Sequence, residues 1–540
     1  MRLPRAQTPM LTALALALTV TATLVLEFRS PRDAANLDIV PDSIEYAAAA
    51  HRTATLGEYT LIVNGRPYPP RYTPWFSWLC LAPAYWLLGP NVGNAIWPIT
   101  LSALLAVLLA FRLGWRLAGL GGAVLGSSYV LALPLFNTFG RLIMTEVPCA
   151  MLVLLAALLF LRLHAAPNAR PRAFLLAGGV VALAAALRVT AAALLLPCLW
   201  LALRQKPWTR RLPCVAACGL PWVLVACANL AYNAVTFGSP LRSGYHFWCP
   251  VPYDYPALTF SLAYIRPNAA ALVQSGLPLF LGVVVLLAWL AHRPGQRAPV
   301  SPVTALPAGL AALAVFTALS AVPLLLLHLV YFFPDARFYL PVLVLLAVIA
   351  GAQAARVLPR VAPAVWLTIP AVLLLGAAGW RLKDRAERPC PRAAVEAIGR
   401  YTPANAVVLS SIAPAYLEFM LSPAVSGAAN RRQIIPLSRR VEYADKLIRV
   451  TRVARPHPFP AGFWDQRCAG LRGPGAIDVV PVVLAERPPL VAEALARGRR
   501  VFVCACDLAY ADTNLLARLA PPLQLEATPS RYLLEVKAGQ

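Results

Sequence analysis

The chain has little charge. Of its 540 residues only 13% are Asp, Glu, Lys or Arg, against 59% hydrophobic residues. A soluble globular domain carries about 25% charged residues. So thin a polar complement cannot coat a single water-soluble core, and a mean hydropathy of +0.64 excludes a disordered chain. Acid is scarcer than base: 23 Asp and Glu stand against 48 Lys and Arg. Such an excess can signal nucleic acid, but its distribution, given below, excludes that partner. Eleven cysteines are too few for a disulfide scaffold. Cys504 and Cys506 are too close for an ordinary bridge, and pairing with Cys390 or Cys468 stays open. Six histidines (His51, His164, His246, His292, His328 and His457) are scattered, and no His/Cys set has metal-ligand spacing. His51 and His246 are expected as surface residues. No cofactor follows from these residues, and a divalent metal stays open. No Gly-rich phosphate loop is present, and no cytoplasmic segment is large enough to hold a nucleotide-sugar donor.

What the chain has is long hydrophobic runs. A bilayer crossing needs roughly 20 apolar residues. Eleven candidates occur: 10–26, 92–111, 119–136, 146–163, 173–187, 189–203, 212–233, 274–291, 305–331, 338–355 and 362–380. The pair 173–187 and 189–203 is short, with Arg188 between them. Glu27-Phe28-Arg29 offers no small-residue cleavage site, so 10–26 is expected as an uncleaved anchor. Cytoplasmic loops retain Lys and Arg. With the amino terminus inside, alternating spans place Arg2, Arg5, Arg112, Arg116, Arg162, Arg170, Arg172, Arg204, Lys206, Arg210, Arg211, Arg293, Arg297, Arg356 and Arg360 on the cytoplasmic side with no acid among them. Glu27, Asp33, Asp38, Asp42, Glu45, Glu58, Glu146, Asp254 and Asp335, the nine acids of residues 1–380, all fall outside. The fold class expected is therefore a polytopic α-helical membrane protein of about eleven transmembrane helices. Residues 1–380 form the membrane domain, with a large outer loop at 27–91.

Residues 381–540 differ in kind and, by the odd span count, lie outside. Short apolar runs (Ala406–Leu409, Ile477–Leu484, Val501–Cys504, Tyr532–Val536) alternate with amphipathic stretches (Arg392–Tyr401, Glu442–Val450, Leu490–Arg497). That alternation predicts a small extracytoplasmic α/β domain, with 451–476 as a loop.

The outer loops hold the chemistry. In the first, Asp42, Glu45 and Tyr46 fall on one helical turn, within a run at 44–56 expected as an amphipathic interfacial helix. Pro69-Pro70-Arg71 follows. Residues 75–88 are rich in Trp and suit an interfacial or re-entrant helix, since aromatic rings favour headgroup depth. A lone carboxylate in a wet loop is usually just solvated. Here, however, the loop is far longer than a connector needs, and Arg52, Arg66 and Arg71 are spaced through it. Arg141-Leu-Ile-Met-Thr145-Glu146 opens the fourth span, and an acid at that depth must be paired or face a cavity. Arg141 is a candidate partner. Arg188 also lies near the outer face. Gly238-Ser239-Pro240 with Arg242 and Tyr245 makes a further loop, and Arg337-Phe338-Tyr339-Leu340-Pro341 opens the tenth span. Guanidiniums from separate loops suit an anionic headgroup, because Arg meets phosphate bidentately.

At these residues the sequence resembles the GT-C class of membrane glycosyltransferases, in particular its protein-mannosyltransferase and aminoarabinose-transferase branch. The similarity covers most of 10–345 and rests on the order of motifs: the acidic first loop, Arg…Thr-Glu before the fourth span, Gly-Ser-Pro…Gly-Tyr, and Arg-Phe-Tyr-Leu-Pro. The branch begins its loop motif with Asp-Glu. Here Asp42 matches the first acid and Tyr46 the aromatic, whereas Ser43 replaces the second acid and Glu45 enters one step before Tyr46.

The resemblance implies an inverting transfer of a sugar from a polyprenyl-phosphate donor to an acceptor hydroxyl, on the outer side of a bacterial plasma membrane. The acceptor class (glycan, lipid or protein) stays open. Such a displacement needs a carboxylate base and donors that stabilise the departing phosphate. Asp42 is the expected base, with Glu45 as substitute, and Glu146 would orient the acceptor or bind a metal. Arg71, Arg141, Arg337 and Tyr46 would contact the donor phosphate. Arg242, Tyr245 and Arg188 would make acceptor or loop contacts. The rival reading is a transporter or flippase of a lipid-linked or anionic substrate. Transporters place polar binding groups near the bilayer midplane, whereas the ionisable residues here sit at span ends.

Overall fold

The computed structural model describes residues 7–28, 41–63, 66–166, 168–248, 253–254, 256–292, 308–357, 370–379, 391–410, 412, 414–421, 432–436, 487–504 and 523–538. The expected strand 477–484, helix 442–450 and loop 451–476 lie outside these residues, as do Arg2, Arg5, Arg293, Arg297, Arg360, Cys390, Cys468 and Cys506. The chain forms two compact units. One comprises Met1–Arg29, Pro98–Asn229 and Tyr264–Ala386; the other comprises Ser30–Trp97, Leu230–Ala263 and Glu387–Gln540.

The first unit is helical, and each of the eleven expected runs contains a helix among the described residues. Among the described residues, six helical stretches are long and apolar enough to cross a bilayer. The count is seven if Leu262–Gln274 and Leu277–Leu287, bent by 61°, form one broken span. Pro171–Leu187, Val189–Leu203 and Pro370–Gly379 are shorter apolar helices. The long stretch Val92–Ala132 holds two of the expected runs. Ala118 (φ −149°, ψ 25°) and Gly119 (φ 65°, ψ −154°) leave helical geometry between them, and the positive φ suits glycine, which lacks a Cβ. The two arms then approach so closely that a Cβ on Gly114 would lie 2.6 Å from the carbonyl carbon of Gly122. Small residues commonly let membrane helices approach in this way. Every residue from Leu340 to Ala355 is buried, so that helix is the centre of the unit. In Arg211–Phe237, by contrast, only Cys214 and Cys218 are fully buried, as expected of a helix at the periphery, facing lipid.

The second unit begins with helix Pro41–Leu56. It is helical as expected, but it does not lie half-exposed. Ile44, Tyr46, Ala47, Ala48, Ala49, Ala50 and His51 are all buried, because four successive alanines let neighbours pack closely on every side. Strands β1 (Leu61–Val63) and β2 (Arg66–Tyr68) pair antiparallel, Ile62 opposite Pro67. The Trp-rich segment is helical, passing through a π-turn at Ser77–Leu81 into Ala82–Leu88. It buries Phe76, Leu81 and Tyr85, while Trp78, Leu79, Trp86, Leu87 and Leu88 are exposed. This one-sided apolar exposure is the pattern of a helix seated at an interface.

The carboxyl-terminal residues of this unit form a five-stranded sheet in the order β4-β3-β5-β7-β6. Its strands are β3 (Val407–Ser410), β4 (Gln433–Pro436), β5 (Val501–Cys504), β6 (Leu523–Ala527) and β7 (Leu533–Ala538). Strand β3 runs parallel to both β4 and β5, and β7 runs antiparallel to β5 and β6. Strands β3 and β5 are buried at every residue, as central strands covered on both faces must be. Helix Arg487–Ala496 supplies Val491 and Ala494 to one face. Arg500 clamps Glu535 of β7 bidentately, at 2.6 and 2.7 Å. The helix Pro414–Met420 packs on β1 and on helix Pro41–Leu56.

Candidate active site

Asp42 and Glu45 lie in the first turn of helix Pro41–Leu56, three residues apart, and so project from one side. Both reach one cation. Arg71 Nη2 donates to Glu45 Oε1 at 2.5 Å and to Asp42 Oδ1 at 3.4 Å, and Arg71 Nε to Glu45 Oε2 at 3.4 Å. All three side chains are largely withdrawn from solvent, with exposures of 13–16%. Two carboxylates thus share one guanidinium in this trio. Burial raises the pKa of Glu45, the charge of Arg71 lowers it, and that of Asp42 raises it again.

Aromatic rings complete the surroundings. Tyr46 stacks on Tyr72 (centroids 4.3 Å apart) and meets Phe76 edge-on at 4.9 Å. The Arg71 guanidinium lies 5.2 Å from the Tyr72 ring. Arg71 itself is fixed by the later loop. Trp248 Nε1 donates to the Pro69 carbonyl at 2.7 Å, and Gly244 sits so close that a Cβ there would lie 2.6 Å from Arg71 Cα and from the Pro70 carbonyl oxygen. Tyr245, next in sequence, meets Tyr72 edge-on at 5.7 Å. Arg242 is half exposed and 3.6 Å from Asp254. His51, expected at the surface, is buried, and its neutral ring donates to the Pro90 carbonyl (Nε2···O 2.9 Å). Burial lowers its pKa, which keeps that donor uncharged. His246, also expected at the surface, is half-buried, and Ser243 Oγ approaches its Nδ1 at 3.0 Å.

The first unit gathers a second ionic cluster. Glu146 opens helix Glu146–His164 and is buried. Arg188 Nη1 donates to Glu146 Oε1 at 2.5 Å and reaches Thr145 Oγ1 at 3.4 Å. Arg337 Nε lies 3.6 Å from the same Glu146 oxygen and 3.1 Å from Asp335 Oδ2. Asp335 also caps the short turn Ala336–Tyr339, accepting from Arg337 N at 3.0 Å. Burial raises the pKa of Asp335, and Arg337 opposes it. Both guanidiniums lie over Phe338, at 5.5 and 5.6 Å, and His328 stacks on the same ring at 4.3 Å. Arg188, which separates two apolar runs in the sequence, is thus a largely withdrawn ion-pair partner of Glu146. Arg141, five residues from Glu146, is buried as well. Among the described residues no three His, Cys, Asp or Glu gather as metal ligands.

The structure therefore brings together Asp42, Glu45, Tyr46, Arg71 and Tyr245 in one unit, and Glu146, Arg188 and Arg337 in the other. Sequence reasoning gave no site role to Tyr72, Trp248 or Asp335, and quoted Gly244 and Phe338 only as parts of motifs. Tyr72 follows Arg71 directly and Phe338 follows Arg337, so an aromatic beside each cation was the available signal.

Residues 69–232 match the family model for dolichyl-phosphate-mannose-protein mannosyltransferase. The fold is similar to the crystal structure of ArnT from Cupriavidus metallidurans bound to undecaprenyl phosphate, at 18% identity and TM-score 0.55, over 96% of this chain and 97% of that one. The apo state of the same protein gives 16% identity and TM-score 0.53, with the same coverage. The apo oligosaccharyltransferase of Archaeoglobus fulgidus is similar at 11% identity and TM-score 0.49, over 98% of this chain and 74% of that one. No curated protein sequence matches the chain. The chain has the fold of the GT-C membrane glycosyltransferases and carries, over residues 69–232, the protein-mannosyltransferase family's sequence pattern.

Proposed function

We propose that the chain is an inverting glycosyltransferase that moves a sugar from a polyprenyl-phosphate donor to an acceptor hydroxyl. It acts on the outer side of a bacterial plasma membrane, with its amino terminus cytoplasmic and residues 381–540 extracytoplasmic. The observation that carries the reading is the pair of carboxylates, Asp42 and Glu45, gathered at the Arg71 guanidinium. Direct displacement requires a base for the acceptor proton and a cation for the departing phosphate, and this trio holds both.

The donor phosphodiester competes with Glu45 and Asp42 for Arg71. When the anion takes the guanidinium, a carboxylate loses its cation and becomes more basic. The acceptor oxygen then attacks the anomeric carbon from the face opposite the phosphate. The C1–O bond to phosphate breaks, its electron pair leaves with the polyprenyl phosphate, and the acceptor proton passes to the carboxylate. Asp42 is the base, with Glu45 its substitute, and Tyr46 lines the donor position through its stack on Tyr72. Arg141 and Arg337 are further candidates for the phosphate and Glu146 for acceptor orientation. Arg242, Tyr245 and Arg188 serve the acceptor and its loops. The deciding experiment supplies the purified chain with undecaprenyl-phosphate-linked sugars and a bacterial envelope extract as the source of acceptor hydroxyls, and measures release of undecaprenyl phosphate. Asp42→Asn combined with Glu45→Gln abolishes release at unchanged thermal unfolding. Full turnover in that double variant refutes the assignment.

A further inference from the structure

Beyond the carboxylates, the second unit carries a row of tyrosine rings that takes no part in bond making or proton transfer. It starts at Tyr72, beside Arg71. Tyr245 meets Tyr72 at 5.7 Å and 89°. Tyr253 meets Tyr245 at 5.0 Å and 43°, and His246 lies 5.9 Å from Tyr253. The row ends at Arg242 and Asp254, paired at 3.6 Å with side-chain exposures of 51% and 26%. Tyr72, Tyr245 and Tyr253 are each only half-buried. Rings serving purely as core would be buried, as Phe76 and Phe136 are, and would not end in an exposed ion pair.

We propose that Tyr245 and Tyr253, with Arg242 and Asp254, form a binding platform for a pyranose ring, a step that rests on the glycosyltransferase reading above. A pyranose presents a face of C–H bonds, whose positive edge suits the negative face of an aromatic ring. Its rim of hydroxyls suits a carboxylate and a guanidinium, which between them accept and donate. Half-buried aromatics with a few convergent polar groups are the ordinary lining of a small-ligand site. The row also has a direction. Its other end is Tyr72, which touches Tyr46 and the Arg71 guanidinium. Gly244 and Trp248 dock this loop on Pro69–Arg71, so the platform is held at a fixed offset from the carboxylate pair. A sugar on the rings is thereby led towards Asp42 and Glu45. That sugar belongs either to the donor or to a saccharide acceptor; the recognition chemistry is the same.

Saturation-transfer NMR on the full chain in detergent tests this, with methyl α- and β-pyranosides of mannose, glucose and galactose as probes. At least one probe receives saturation, strongest on the protons of one ring face. Tyr253→Ala or Tyr245→Ala lowers the transfer about fivefold, the loss of one stacking contact. Tyr253→Phe and Tyr245→Phe preserve it, and Asp254→Asn weakens binding without changing which protons are saturated. Only variants with wild-type thermal unfolding are compared. Preloading with undecaprenyl phosphate separates the sources: displacement of the probe assigns the platform to the donor sugar, and retention assigns it to an acceptor. The readout is binding, so Asp42→Asn leaves it intact whether or not transfer is lost, and failure of the platform and failure of the catalytic reading stay distinguishable. The proposal is overturned if no probe is saturated, or if the alanine variants match the wild type.

Discussion

Glu146 offers the sharpest test of what these ionic clusters do. Its buried carboxylate takes Arg188 at 2.5 Å and Arg337 at 3.6 Å. In Glu146→Gln the negative charge disappears while both guanidiniums remain. Arg337 keeps Asp335 at 3.1 Å, but Arg188 keeps no carboxylate partner among the described contacts, only the Thr145 hydroxyl at 3.4 Å and the face of Phe338 at 5.5 Å. Breaking a buried pair by removing one partner costs about 3–5 kcal/mol, because the other charge is left uncompensated. The same principle says that an apolar replacement of both partners is close to neutral. Glu146→Gln is therefore expected to destabilise the chain by about 3–5 kcal/mol, and Glu146→Gln with Arg188→Met to recover most of that loss. Urea unfolding in detergent micelles, followed by tryptophan fluorescence, reads both. If Glu146→Gln costs less than about 1 kcal/mol, or the second substitution restores nothing, the ion pair does not hold these helix ends together. A loss of transfer at unchanged stability would then favour the acceptor-orienting role expected from the sequence.

Two further outcomes follow from the other cluster. Burial raises the pKa of Glu45 and Arg71 opposes that rise. Where Glu45 serves as the substitute base it must be deprotonated, so transfer through it should fall as pH drops through this raised value. Arg71→Met removes the opposing cation and should move the acid limb of the pH–rate profile to higher pH; an unmoved limb counts against Glu45 as a titrating base. Gly244→Ala places a methyl 2.6 Å from Arg71 Cα and the Pro70 carbonyl oxygen. It should cost about 1–3 kcal/mol of stability by overpacking and lower transfer at least about tenfold, and a variant with wild-type turnover would show that Arg71 tolerates displacement.

Much of this was legible in the sequence because bilayer physics is blunt. A span announces itself by apolar length, and each of the eleven runs contains a helix among the described residues. Even the reversal at Gly119 was readable, since one stretch carried two spans' worth of apolar residues. Asp42 and Glu45 were legible because helical spacing alone puts them together. Their cation was not. Arg71 lies 26 residues beyond Glu45, and only the resemblance picked it out. For Glu146 the sequence suggested a near neighbour, Arg141, whereas the partners the structure shows come from two other helix ends, Arg188 and Arg337. Long-range packing selects among cations that look alike along the chain. In the extramembrane part, β3, β5 and β7 were visible as apolar runs, while β4 and β6 were missed, being short flanking strands with weak patterning. The β1–β2 hairpin had a signal that went unread, Asn64-Gly65 between two short β-prone runs.

The helix that carries Asp42 and Glu45 is completed from the far end of the polypeptide. His51 packs edge-on against Phe419 at 5.6 Å, and helix Pro414–Met420 lies on both that helix and β1. During synthesis the amino-terminal carboxylates leave the ribosome first, and their packing partners arrive only after the last membrane helix. On the proposed reading of Asp42 and Glu45, the nascent chain would gain a complete catalytic helix only when nearly all of it had been made. A truncation after residue 380 would remove the Phe419 contact and the helix packed on that carboxylate-bearing helix.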